Sequence, residues 1–213
     1  LALAQKRRAT ARRAAVSAMD IFLLAMLLGM GMHLLKVRYQ AGRIALLSRH
    51  LGQFQIEKLM ESLTQGYLRA LGEADQERRG QILSMLNTAE ISLAEQFKRF
   101  AADLARLEPL QTRVSKLPIA IAYADQMFPS ATFDLRAVMQ IHAQGIDAVV
   151  RNEAERSPRD KAFTLTAELF LMQHSCHWFC KSKTIASARM IGRHQTSYEQ
   201  ALAAVSPSTR SAY

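Results

Sequence analysis

Residues 76–107 read QERRGQILSMLNTAEISLAEQFKRFAADLARL, and their spacing decides the fold class. Ile82, Leu86, Ala89, Leu93, Phe97, Phe100, Leu104 and Leu107 recur at steps of four and three. That alternation lines up all of them on one side of an α-helix. A dimeric coiled coil would use the same spacing. Two phenylalanines suit a globular core better than a narrow two-stranded seam, so a long helix in an antiparallel bundle is the preferred reading. Pro109 ends it.

Working outward, helical spacing continues on both sides. Over 42–71 the apolar positions are Ile44, Leu47, Leu51 and Phe54, then, after a slip, Ile56, Leu59, Leu63 and Tyr67. Residues 72–77, Gly-Glu-Ala-Asp-Gln-Glu, read as a turn and cap. The main break is 108–131, with Pro109, Pro118 and Pro129. Leu117, Ile119, Ile121, Tyr123, Met127 and Phe128 make it too apolar for a free linker. It is expected to cross the bundle as an ordered segment, with room for a short helix. Ser130 can cap the next helix, whose inward face is Leu135, Val138, Met139, His142, Ile146 and Val149. Residues 151–159 form a polar loop, and Asp160 can cap a helix through Cys180. A last helix covers 184–205, ended by Ser206-Pro207-Ser208. Alternating strand patterns and hairpin dipeptides are scarce. The expected fold is all-α.

At the amino-terminal end, residues 21–35 read IFLLAMLLGMGMHLL, without a formal charge or a polar face. A surface helix shows one apolar stripe, whereas this one is apolar all round and must be covered by protein or lipid. Fifteen residues fall short of the ~20 that span a bilayer, but flanking residues extend the run to spanning length. A single-pass anchor over 19–37 is the preferred placement. A buried core helix and a cleaved signal peptide are the alternatives. Gly29 and Gly31 lie on different faces and make no small-xxx-small packing motif. His33 fits an interfacial position.

The expected organisation is therefore a basic leader over 1–18, disordered or foreign to the native chain, and an anchor over 19–37. A bundle of about five helices over 38–206 and a tail over 207–213 follow. Met19 offers an alternative start. With residues 1–18 present, five basic residues precede the run and its orientation stays open; with Met19 as the start, Lys36, Arg38, Arg43 and Arg49 all follow the apolar run 21–35. The positive-inside tendency then leaves the bundle on the cytoplasmic side of a bacterial inner membrane. A cytoplasmic protein is the alternative.

The chain has 213 residues, 28 Lys+Arg, 18 Asp+Glu and a formal net charge of +10. Its Gly, Pro and apolar content exclude a collagen-like or disordered chain. Two cysteines exclude a disulfide scaffold. The basic excess raises nucleic acid as a partner. Half of it, however, sits in Lys6, Arg7, Arg8, Arg12 and Arg13, and the remainder nets only +5. Nucleic acid is therefore not the expected partner.

One cluster could carry chemistry: His174-Ser-Cys176-His177-Trp-Phe-Cys180. Thiolate and imidazole one helical turn apart can share a zinc ion, with His142 or His194 able to complete the shell. The competing reading is core packing on the most apolar helix, because free Cys is among the most buried residue types. No cofactor is expected on that reading; zinc is the alternative. Lys181, Lys183, Arg189 and Arg193 follow as a basic patch able to hold an anion. Their other role is to complement a helix C-terminus and wet a surface face. Glu168, the one acid on the apolar helix, is a candidate for burial. Walker, dinucleotide and nucleophile-elbow motifs are absent, as is a Glu-x-x-His pair. The expected function is non-covalent: a membrane-anchored bundle that meets a protein partner or its own copy through a helical face. A metal- or thiol-dependent enzyme or sensor and a basic nucleic-acid-associated protein are the alternatives.

Overall fold

The structure, a computed structural model, describes the backbone of residues 2–213 and the side chains of residues 19–213. Helix α1 (Ala2–Leu51) is followed by α2 (Ile56–Gly72), α3 (Gln76–Leu104) and α4 (Pro109–Thr112). Strand β1 (Arg113–Ser115), α5 (Ala124–Met127), a 3-10 turn (Pro129–Ala131) and β2 (Thr132–Asp134) make up the crossing segment. Then come α6 (Leu135–Val150), α7 (Pro158–Cys180), α8 (Lys183–His194), α9 (Tyr198–Ala204) and α10 (Pro207–Ala212). The all-α class holds.

The apolar seam of α3 faces inward. Leu93, Phe97, Phe100 and Leu104 are buried, while Ile82, Leu86, Ala89 and Leu107 pack partly buried against the same core. Fully burying one such side chain contributes about 1.5–3 kcal/mol, so the seam alone outweighs any intrinsic propensity difference within the helix. Asp75 starts α3 by accepting the Glu77 amide at 3.0 Å. At the centre of the bundle lies α7, which touches α1, α2, α6, α8 and α9. Buried residues run along it from Ala162 to Phe179 on every side, as an enclosed helix requires.

Several boundaries differ from the sequence expectation, each for a local reason. The slip at 54–56 is a true break between α1 and α2. The helix expected to be capped by Asp160 is capped by Ser157, whose Oγ accepts the Asp160 amide, with Pro158 in the first turn. For α6 the cap is Asp134, not Ser130, because Pro129–Ala131 is occupied by a 3-10 turn. The last helix is divided. Gln195 takes a left-handed conformation (φ 52°), and Ser197 with Gln200 forms a capping box that opens α9.

A short antiparallel pair, Arg113 to Asp134 and Ser115 to Thr132, closes the crossing segment on itself. Residues 207–213 are no tail. They form α10 against α6, with Thr209 buried and Tyr213 packed into the core. The leader over 1–18, expected to be disordered, belongs to the backbone of α1 from Ala2 onward; its side chains lie outside the described residues.

The segment 21–35 is not covered by the rest of the chain. Ile21, Phe22, Leu24, Leu27 and Leu28 are each more than 60 % exposed. The buried-core alternative therefore has no protein to bury it within this chain. By length and composition α1 is able to cross a membrane.

Candidate functional site

The carboxyl-terminal half of α7 carries the Cys/His cluster, and a helix turns about 100° per residue. Its side chains consequently point in different directions. His174 faces α8 and α9: its Nε2 lies 3.0 Å from Ser187 Oγ, and its ring packs on Tyr198 at 4.8 Å. Cys176 is buried with its Sγ 3.9 Å from Met172 Sδ. His177 lies at the rim, with Nδ1 3.4 Å from Arg189 Nη1. Cys180 is half-buried on the side of Arg43. Among the described residues no three His, Cys, Asp or Glu side chains gather as a metal site.

The two histidines able to complete a zinc shell are engaged elsewhere. His142 Nε2 is 3.0 Å from Ser175 Oγ, and His194 Nε2 is 2.8 Å from Gln173 Oε1 while its ring stacks on Phe170. Burial pushes the Cys180 thiol up to about 11 and the Cys176 thiol higher still. Both are protonated at neutral pH, so neither is poised as a nucleophile or a ready ligand.

The four cations of the expected anion patch separate into three places. Lys181 donates to Gln40 Oε1 at 3.1 Å. The ammonium of Lys183 lies over the rings of Tyr198 and Trp178, 4.7 and 5.3 Å from their centroids. Arg189 and Arg193 stay together, one turn apart on the exposed side of α8. Among the described residues neither forms an ion pair with a carboxylate. Their charges, after burial itself, keep the His177 imidazole below its usual range, so His177 is a neutral acceptor beside them.

Two clefts meet at this point. One, of about 230 Å³, is lined by Phe170, Gln173, His174, His177, Arg189 and Arg193. The other, of about 240 Å³, lies between α1, α2 and α7 and has Leu47, Ile56, Met60, Met172 and Cys176 in its wall. His177, Gln173 and Arg189 line both. The arrangement offers an apolar floor beside two guanidinium groups that no carboxylate among the described residues neutralises, a setting that receives an apolar side chain next to a carboxylate or phosphate.

A second polar group was not found from sequence. Ser175 Oγ donates to Leu171 O and lies 3.0 Å from Tyr213 Oη as well as from His142. About two turns earlier on α7, Glu168 Oε1 accepts the Ser206 amide at 3.0 Å and the Ser206 hydroxyl at 2.8 Å. Burial raises the Glu168 carboxyl, an effect that Ser206 and Thr209 partly offset. Ser175, Glu168 and His142 show no exposure at all, so the Ser–His pair has no access for a substrate and acts to fasten α10 onto α6 and α7. Glu168 carried a sequence signal, as an acid within the apolar stretch of α7, and His142 stood on the expected inward face of α6; Ser175 carried none.

No family model, curated protein or solved structure matches the chain.

Proposed function

We propose that this chain is a membrane-anchored helical bundle of the bacterial inner membrane that works through non-covalent contact with a protein partner. The observation that carries this reading is the uncovered apolar length of α1, continuous with a closed bundle. Exposed apolar residues from Met19 to Val37 form a band with no protein across it. Nineteen residues at ~1.5 Å each span about 28 Å, close to the ~30 Å of a hydrocarbon core. With Met19 as the start, the basic residues Lys36, Arg38, Arg43 and Arg49 all lie at the bundle end of the run, which supports a cytoplasmic bundle; with Lys6, Arg7, Arg8, Arg12 and Arg13 in place both ends are basic.

The contact site is assigned to the joined clefts of α7 and α8. Arg189 and Arg193 supply positive charge that no carboxylate among the described residues pairs, and exposed Ile191 lies between them in sequence. An acidic, partly apolar protein segment complements that surface. The alternative occupant is a second copy of the chain.

Fractionation tests the anchor: the full chain is expected to stay with membranes through a carbonate wash, and release without detergent would overturn the reading. For the contact, a photocrosslinker at Ile191 is expected to give one defined adduct that Arg189→Glu with Arg193→Glu abolishes. An adduct indifferent to both reversals refutes the assigned site. An adduct of twice the chain's own mass identifies the second copy.

A further inference from the structure

Beyond the anchor, the crossing segment holds an unexplained set of exposed apolar side chains. Ile119 is 62 %, Met127 55 %, Phe128 50 %, Tyr123 42 % and Ile121 38 % exposed. They are not scattered. All lie within ten residues of one segment, in a chain that buries Leu93, Phe97 and Phe100 fully. Contiguous exposed apolar surface of this kind marks a contact.

Its position says with what. The Tyr123 ring packs on Tyr39 of α1, with centroids 4.9 Å apart. Tyr39 also donates to Asp125 of the same segment. Ile119 and Ile121 border the cleft formed with Tyr39 and Arg43. Tyr39 is two residues beyond Val37, about 3 Å further along the helix axis. The polar layer of a bilayer adds roughly 5–8 Å on each side of the hydrocarbon core. The segment therefore lies level with the lipid headgroups whenever α1 spans.

Charge agrees with that placement. Asp125 is the only acid between 109 and 131, and it is buried against Tyr39 and Arg43. Lys116 on the segment is exposed, as is Arg38 on α1, and neither makes an ion pair among the described residues. Aromatic and apolar side chains flanked by cations, without exposed acid, are what anionic headgroups favour.

We infer that residues 117–128 form a second membrane contact, an interfacial apolar loop that inserts beside the exit of α1 into an anionic lipid surface. This rests on α1 being a span, and the test separates the two. The full chain is reconstituted into vesicles of phosphatidylcholine and phosphatidylglycerol with brominated acyl chains. One tryptophan is added per variant, by Ile119→Trp or Phe128→Trp, with Leu28→Trp for the span and Phe163→Trp for the far end of α7. Buried Trp178 is a background common to all.

Emission at positions 119 and 128 is expected to be lost to bromine placed high on the chain more than to bromine placed deep. Position 28 is expected to be quenched by deep bromine and position 163 by neither. Quenching at 28 with none at 119 and 128 overturns the loop and leaves the span standing. No quenching at 28 removes the span, and the loop with it. Blue-shifted but unquenched tryptophan at 119 and 128 shows a protein covering the patch, which also overturns the inference. Equal quenching at 163 shows a bundle lying flat on lipid and overturns the placement.

Discussion

Gly145 lies in α6 where it passes Glu168 and α10. A Cβ built there would collide with Thr209 Oγ1 and stand 2.8 Å from Glu168 Oε2. Gly80, in α3, has nothing within 4 Å of the same atom. The one substitution, Gly→Ala, should therefore have opposite signs in two helices of one protein. At Gly80 the helix gains the usual preference of Ala over Gly, about 0.8–1.0 kcal/mol. At Gly145 that gain meets an overpacking cost of about 1–3 kcal/mol. Thr209 Oγ1 lies 2.9 Å from Ser206 Oγ, whose own proton goes to Glu168, so moving Thr209 also disturbs a buried hydrogen bond. Each buried group left unsatisfied adds about 1–3 kcal/mol. The net loss is about 2–3 kcal/mol. In a chain of this size 1 kcal/mol moves the midpoint by roughly 2–4 °C, so Gly145→Ala should melt roughly 5–10 °C below the parent and Gly80→Ala slightly above it. Thermal unfolding in detergent, followed by circular dichroism, measures both. Thr209→Ala removes the colliding oxygen, so the double variant should recover at least 1 kcal/mol relative to additivity, on the order of a contacting pair. Equal midpoints for the two alanine variants, or strict additivity with Thr209→Ala, would refute the close approach of α6 and α10.

Two further perturbations act on buried polar groups. Lys161 and Tyr67 both donate to the buried carboxylate of Glu90. Lys161→Met should cost about 3–5 kcal/mol by stranding that carboxylate, and adding Glu90→Gln should restore most of it; denaturant midpoints with no recovery would show that the pair is not the cause. Burial holds His142 down to about 3 and His174 down to about 4, against an ordinary 6.5. The unfolded chain then takes up protons that the fold refuses, so this stability is present above pH 6.5 and is lost as the pH falls toward 4 and 3. His142→Gln should flatten the fall between pH 6.5 and 4, and an unchanged slope would show that His142 is not protonated on unfolding in that range.

Local periodicity made the long helices legible because burial of Leu93, Phe97, Phe100 and Leu104 repeats with the helix itself. Non-local events were not legible in the same way. The strands Arg113–Ser115 and Thr132–Asp134 are three residues each, and neither has an alternating pattern that would survive without its partner. Residues 207–213 look polar because Thr209 and Tyr213 find their partners, among them Gly145, Ser175, His142 and Tyr198, only on other helices. The division at Gln195 carries no Gly or Pro; its one signal is Ser197 with Gln200 three residues on. At the candidate site, closeness in sequence was misleading. His174, Cys176, His177 and Cys180 share seven residues, yet successive side chains of a helix diverge by about 100°, and α7 meets different neighbours in each direction. Conversely, Arg189 and Arg193 were legible as a pair because a four-residue step restores the same face.

How α1 joins the bundle bears on both proposed contacts. Residues 37–47 include Gly42, yet α1 continues unbroken through them to Leu51. Arg43 fastens that continuation. Its guanidinium donates to the carbonyls of Phe179 (2.9 Å) and Arg113, lies 3.5 Å from the Asp125 carboxylate, and stands over the rings of Tyr39 and Phe179. One side chain thus binds α1 to the end of α7 and to two points of the crossing segment, Arg113 and Asp125. With Asp125 nearly enclosed, separating these elements would strand a buried charge, so the junction resists bending. A rigid junction fixes the azimuth of the bundle about α1. If α1 spans, the face bearing Ile119 and Phe128 is held at one depth, and the α7–α8 clefts are held at one height above it. Contact with lipid and contact with a partner then share a single geometry, set by Arg43 rather than by a flexible linker.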